Sequence, residues 1–306
     1  MISIIIATYN RATPLSKAIE SVCAQTEKDI EIVVVDDGST DATESVVKEL
    51  IQKDFRIRYI KLESNQGASS ARNRGIQEAK GDWIMVWDSD DILDFEALET
   101  VKKILAQHPE ATVVSAPARM MRNGVEVEHR ILPEGFVTLE DVLCKRIGNN
   151  EKIRIARKDA YLKAPYVSKN IDFVVGARLR AQGEWFHSTT KLGTVYLEGK
   201  NSLSVLRKKK NIDISIERTK HLTQFLEEFG EKLRETCSGR YGAICYGASI
   251  GLLLSGDTIS SRLYAHRAWV ADRHIFRFFA LWVLTFLPGA ESIARLLFSY
   301  FDSSTT

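Results

Sequence analysis

The chain reads Trp87-Asp88-Ser89-Asp90-Asp91 directly after the apolar run 83–86, so three carboxylates crowd the end of a buried strand. Carboxylates a few ångströms apart repel and raise one another's pKa unless a cation sits among them. Hard divalent ions such as Mg²⁺ and Mn²⁺ take oxygen ligands and keep positions open for phosphate. The cluster therefore points to a metal-bound phosphate ester. An acidic residue here would also cap the helix expected after Asp94, but one cap does not need three carboxylates.

The first hundred residues alternate β-branched runs with longer helical patterns, the signature of a parallel sheet covered by helices. The expected strands are 2–7, 30–35, 57–62 and 83–86, and the expected helices 15–25, 41–52, 68–79 and 95–107, with Ser39-Thr40 and Asp94 as caps. Right-handed crossovers place every strand's C-terminal end on one edge, where open α/β sheets bind ligands. Three polar clusters reach that edge: Thr8-Tyr9-Asn10, Asp36-Asp37-Gly38-Ser39, and Asp88 with its neighbours. No Gly-x-Gly-x-x-Gly turn follows the first strand and no Gly-Lys-Ser/Thr loop occurs, which argues against dinucleotide and P-loop chemistry. Farther on, short strands are expected at 112–116, 125–131 and 153–156 and a helix at 172–182.

Composition narrows the class. The 42 basic and 40 acidic residues leave a charge of +2, which excludes a nucleic-acid binder on bulk charge. Cys23, Cys144, Cys237 and Cys245 lack zinc-ligand spacing and read as reduced thiols of a cytosolic protein. The strand at Ile2 has no charged segment before it, so no secretory leader is expected and the catalytic part should stay in the cytoplasm. The longest apolar stretch, 278–290, is broken by Pro288-Gly289 and too short to span a bilayer.

Four motifs in order carry a resemblance: Ser3-Ile4-Ile5-Ile6-Ala7-Thr8-Tyr9-Asn10-Arg11; Val34-Val35-Asp36-Asp37-Gly38-Ser39-Thr40-Asp41; Asn65-Gln66-Gly67 with Ala71-Arg72-Asn73; and Asp88-Ser89-Asp90-Asp91. Together they closely resemble the family 2 glycosyltransferases with the GT-A fold, strongly to about residue 110 and more weakly to about 205. The resemblance implies an α/β fold, a Rossmann-like, mostly parallel sheet flanked by helices, with inverting transfer from a nucleotide-diphosphate sugar, most often a UDP-sugar. Ala7, Thr8 and Tyr9 would line the nucleotide pocket, and Asp37 would accept a hydrogen bond from the uracil edge with Asp36 nearby. Arg72 would reach the nucleotide or diphosphate, and Asp88 the ribose beside Ser89. Asp90, with Asp88, would hold Mn²⁺ or Mg²⁺ between the phosphates, and Asp91 would orient that shell.

An inverting displacement needs a base opposite the leaving group. The resemblance places it at Asp172, in Asn170-Ile171-Asp172-Phe173, with Ile171 where the family has an acidic residue. After Tyr196, Leu197 and Gly199 stand where many relatives carry an Arg and a metal-binding His. Lys200 or the basic run 207–210 would then close over the diphosphate.

A composition shift near residue 210 separates a catalytic domain, 1–210, from a helical C-terminal region, 211–306. Arg262, His266, Arg267, Arg273, His274 and Arg277 alternate there with Leu263, Tyr264, Trp269, Val270, Ile275 and Phe276. Basic amphipathic helices with aromatic residues lie in anionic membrane surfaces. A peripheral enzyme on the inner face of the cell membrane is expected, extending a saccharide acceptor, lipid-linked as in bacterial surface-polysaccharide assembly. A packing or oligomer interface is the other use of these helices. The rival functions are a sugar nucleotidyltransferase, for which Thr8-Tyr9-Asn10-Arg11 lacks the Gly-rich basic loop, and a catalytically inactive sugar-nucleotide-binding partner of an assembly complex.

Overall fold

The computed structural model describes residues 1–127, 132–144, 153–167, 172–197, 212–272 and 276–303. The chain forms two compact units, Met1–Glu198 and Gly199–Thr306. The expected boundary near 210, the basic run 207–210, Gly199, Lys200 and Ile171 all lie outside the described residues.

The first unit opens with β1 (Ile2–Thr8), α1 (Ala12–Cys23), β2 (Ile30–Asp36), α2 (Thr43–Lys53), β3 (Ile57–Lys61), α3 (Ala68–Glu78), β4 (Trp83–Asp88), β5 (Ile92–Leu93) and α4 (Ala97–Gln107). β1 and β2 are apolar at successive positions because helices cover both sheet faces. The amphipathic α1 buries Leu15, Ala18, Ile19 and Val22 against them. The rest of the unit holds β6 (Ala111–Ala116), β7 (Arg119–Arg122), β8 (Val125–Glu126), β9 (Gly135–Val137), α5 (Leu139–Leu143), β10 (Ile153–Arg157), α6 (Lys158–Lys163), α7 (Asp172–Gln182), β11 (Glu184–His187) and β12 (Gly193–Tyr196).

The main sheet runs β3-β2-β1-β4-β10-β6-β11-β9, and a smaller one runs β5-β12-β7-β8. β3, β2, β1 and β4 are mutually parallel, whereas β10 is antiparallel to both β4 and β6. At the N-terminal edge of the parallel strands, buried Glu31 accepts from Ser3 Oγ at 2.6 Å, from Arg58 Nη1 at 2.9 Å and from the Lys80 N–H. Charge at that edge is thus consumed in structure.

Several expectations need correction. Neither Ser39-Thr40 nor Asp94 caps a helix: α2 and α4 begin after Ala42 and Glu96 with no side-chain cap. Ser39 instead serves the loop before α1, and Asp94 pairs with Arg119. The strand expected at 125–131 is the two-residue β8 of a hairpin turned by Asn123-Gly124, both at positive φ, and 128–131 lie outside the described residues.

The second unit is helical: α8 (Ile212–Thr236), α9 (Ser238–Leu254), α10 (Thr258–Ala271), α11 (Phe276–Leu284) and α12 (Ala290–Ser303). Ser249 and Ser261 tie α9 to α10 through buried bonds, each hydroxyl donating to the other's carbonyl at 2.8 and 2.9 Å. The rings of Trp269 and Trp282 stack 5.3 Å apart. No described helix is long and apolar enough to cross a membrane.

Candidate active site

Parallel register levels the site. Pairing of β1 with β2 sets Thr8 beside Asp36, and pairing of β1 with β4 sets Ala7 beside Asp88. The structure therefore brings Ala7, Thr8 and Tyr9, Asp36 and Asp37, and Asp88 to Asp91 to one edge, as the sequence implied.

Hydrogen bonds then lock the loops together. Asn10 takes a left-handed φ of 52°, which Asn tolerates better than most residues. Its N–H donates to Ser39 Oγ at 2.8 Å, and its side-chain carbonyl accepts from the Thr40 N–H at 2.8 Å. Asp36, fully buried, accepts from the Ser39 N–H at 2.8 Å and from the Tyr59 hydroxyl. Burial, and then that bond to Asp36, push the Tyr59 hydroxyl far above its ordinary pKa.

Asp37 is 3% exposed, and its two carboxylate oxygens accept from the Gln66 and Gly67 N–H groups, each at 2.7 Å. Its own N–H donates to Thr8 O at 2.9 Å. Gly38 sits at φ +78°, and a Cβ there would lie 2.9 Å from the Ser64 carbonyl carbon. Only glycine fits that approach. A carboxylate has about four acceptor sites, so the two main-chain bonds leave Asp37 capacity for a ligand. Thr8 Oγ1 is buried with no partner among the described residues.

The acidic cluster carries its own counter-charges. Asp88 Oδ1 accepts from Arg72 Nη2 at 2.8 Å, and Asp90 Oδ2 from Arg11 Nη1 at 2.5 Å. Asp91 is buried and accepts from the Tyr196 N–H at 3.2 Å, while the Trp87 indole donates to its carbonyl at 3.0 Å. Two guanidinium groups and a main-chain N–H thus stand against the three carboxylates.

Among the described residues no group of three or more His, Cys, Asp or Glu is placed to hold a metal. Asp88 and Asp90 remain half-buried oxygen donors on one short turn. That donor set suits a hard divalent cation that takes its other ligands from phosphate and water, and it does not suit a closed structural site.

Asp172 is the first residue of α7, a placement that matches the expected segment. In the segment after Tyr196, the Leu197 N–H donates to Met121 O at 2.9 Å. The sequence reading gave no role to Asn10, Arg11, Tyr59, Asn73 or Tyr166. Asn10, Arg11 and Asn73 stood inside the quoted motifs, which was a usable signal. Tyr59 and Tyr166 had none.

The model of "Glycosyl transferase family 2" matches residues 3–164, more than half of the chain. A Campylobacter jejuni protein named GalNAc(5)-diNAcBac-PP-undecaprenol beta-1,3-glucosyltransferase is 43% identical over 102 residues, covering 33% of each chain. The match spans about half, or less, of the length of the curated relatives. Among solved structures, S. aureus TarS 1-349 in complex with UDP-GlcNAc superposes at TM-score 0.62 and 16% identity, covering 96% of this chain and 91% of that one. The mannosyltransferase PcManGT from Pyrobaculum calidifontis, in complex with GDP-Man and Mn²⁺, gives 0.55 at 16% identity, covering 96% and 86%. Both share the GT-A-type fold with this chain.

Proposed function

This chain belongs to glycosyl transferase family 2, and on that premise we propose that it moves a sugar from a UDP-sugar to a saccharide acceptor with inversion at the anomeric carbon. One observation carries the reading: register and loop bonds hold Thr8, Asp36, Asp37, Asp88 and Asp90 level at the C-terminal edge of three adjacent strands. Ala7, Thr8 and Tyr9 with Asp36 and Asp37 form the nucleoside side of the pocket. Asp88, Ser89 and Arg72 face the ribose and diphosphate. Asp90, with Asp88, would hold Mn²⁺ or Mg²⁺, which supplies charge neutralisation for the departing nucleoside diphosphate. Asp172 takes the proton of the acceptor hydroxyl as that oxygen bonds to the anomeric carbon and the bond to the diphosphate breaks.

The name of the Campylobacter relative supports a lipid-linked acceptor in bacterial surface-polysaccharide biosynthesis. A peripheral position on the inner membrane face suits such an acceptor. It is supported by exposed apolar residues of the C-terminal region, Ile259 on α10 at 81% and Leu287 in the turn before α12 at 49%, in a region that also carries the exposed Arg267.

The test is Asp172→Asn. Transfer should be abolished while UDP affinity, measured by calorimetry, stays within about twofold, because the base touches only the acceptor. Full residual transfer would remove Asp172 from the mechanism.

A further inference from the structure

Tyr166 lies outside the four motifs of the donor side in sequence, yet it is bound to that side of the site at three points. Its ring centroid is 5.2 Å from Arg72 Cζ, the guanidinium that meets Asp88 at 2.8 Å. Its main chain pairs in both directions with the carboxamide of Asn73: the Tyr166 N–H donates to Asn73 Oδ1 at 2.9 Å, and Asn73 Nδ2 donates to Tyr166 O at 2.7 Å. Behind it stands Tyr161, 1% exposed, with ring centroids 6.3 Å apart and planes 16° from parallel.

Arg72 and Asn73 are consecutive on α3, so the residue that stacks on the guanidinium is anchored to the helix that carries it. An arginine side chain has several rotatable bonds, and ordering it on ligand binding costs affinity. A flat ring on one side and a carboxylate at the end remove that freedom beforehand. The layer Tyr161, Tyr166, Arg72, Asp88 thus runs from the buried core to the acidic cluster.

We infer that Tyr166 is a positioning residue that presets Arg72 for the diphosphate of the donor. The inference rests on the donor-site reading above. It assigns a binding function to a residue outside the quoted motifs and gives the Asn73 amide a purpose: a carboxamide carries an acceptor and a donor on two adjacent atoms, which here meet the N–H and the C=O of one residue.

The test compares UDP and uridine binding, by calorimetry and by competition, in the full chain with Mn²⁺ present. Tyr166→Leu should weaken UDP by about three- to tenfold, the range for a half-buried cation–π contact, and leave uridine unchanged. Tyr166→Phe keeps the ring and should retain most of the affinity. Arg72→Ala should weaken UDP at least as much, and the double variant should be no worse than Arg72→Ala alone, since the ring acts through the guanidinium.

Equal loss for uridine, or additive losses in the double variant, would overturn the inference and leave the donor site standing. Unchanged UDP affinity in Arg72→Ala would overturn the inference together with the role of Arg72 at the diphosphate, and absence of UDP binding to the parent protein would overturn the donor-site reading itself. If Tyr166→Leu does not fold, Arg72→Lys carries the test. It keeps the charge and loses the flat stack, so the same UDP-specific loss is expected, and retained affinity would refute the inference.

Discussion

Replacing Asp37 by Asn probes the junction of the site most directly. The Asp37 carboxylate is 3% exposed and accepts two main-chain N–H groups at 2.7 Å, holding the loop before α3 against the end of β2. Hydrogen bonds to a charged group contribute about 1.5–3 kcal/mol each, and a buried N–H left without an acceptor costs about 1–3 kcal/mol. An amide keeps one oxygen and turns an NH₂ donor toward the other N–H, so one bond is lost and one donor is orphaned. The expected destabilisation is about 2–3 kcal/mol, or about 5–10 °C in the melting of a unit of this size. Circular-dichroism melts, with hydrogen exchange read at the Gln66 and Gly67 amides, measure it. One of those amides should lose protection, and UDP affinity should fall as the loops part. A variant that melts within about 1 °C of the parent, with both amides still protected, would refute the claim that Asp37 frames the pocket.

Further consequences concern packing, pH and the surface. A Cβ at Gly75 would lie 2.3 Å from Ile5 Cγ2, so Gly75→Ala should lower the urea midpoint by an overpacking cost of about 1–3 kcal/mol, partly offset by better helix propensity. Burial, opposed by nearby Glu134, holds the His187 ring below its ordinary pKa of 6.5, with Ser115 Oγ 3.0 Å from Nδ1. The unfolded chain therefore binds the proton more readily, so this stabilisation is present above about pH 6.5 and is lost as pH falls from there toward the folded value. His187→Asn should flatten that part of the stability–pH curve, and an unchanged slope would show that other groups cause it. Joint Ile259→Glu and Leu287→Glu should cut co-sedimentation with phosphatidylglycerol vesicles about tenfold or more without changing UDP affinity; equal sedimentation would exclude these two side chains as membrane contacts.

The parallel half of the fold was legible because β1, β2, β3 and β4 are short apolar runs separated by amphipathic helices. That periodicity also placed Asp36 and Asp88 at one edge before any register was known. What escaped was tertiary. Ser39 and Asp94 have the chemistry of caps, but Ser39 is taken by the Asn10 N–H and Asp94 by Arg119, partners distant in sequence. The crowding of Asp88, Asp90 and Asp91 was real on paper and is relieved in space by Arg72, Arg11 and the Tyr196 N–H. β9 and β11 escaped because short strands that pair only with distant segments leave little periodicity. Tyr166 escaped because nothing around it marks a residue whose main chain will be held by Asn73.

The central claim is that this sheet edge binds a nucleotide-diphosphate sugar with a divalent ion and releases the nucleoside diphosphate. A release assay over a panel of UDP- and GDP-sugars, with Mn²⁺, with Mg²⁺ and with EDTA, tests it, run beside Asp90→Ala and with calorimetric binding of each nucleotide. The account predicts UDP release from one donor that stops with EDTA and is lost in Asp90→Ala. Absence of binding to every nucleotide with either metal would contradict it. Release that ignores EDTA and survives in Asp90→Ala would contradict the part of the account that gives the reaction a divalent ion held by Asp90.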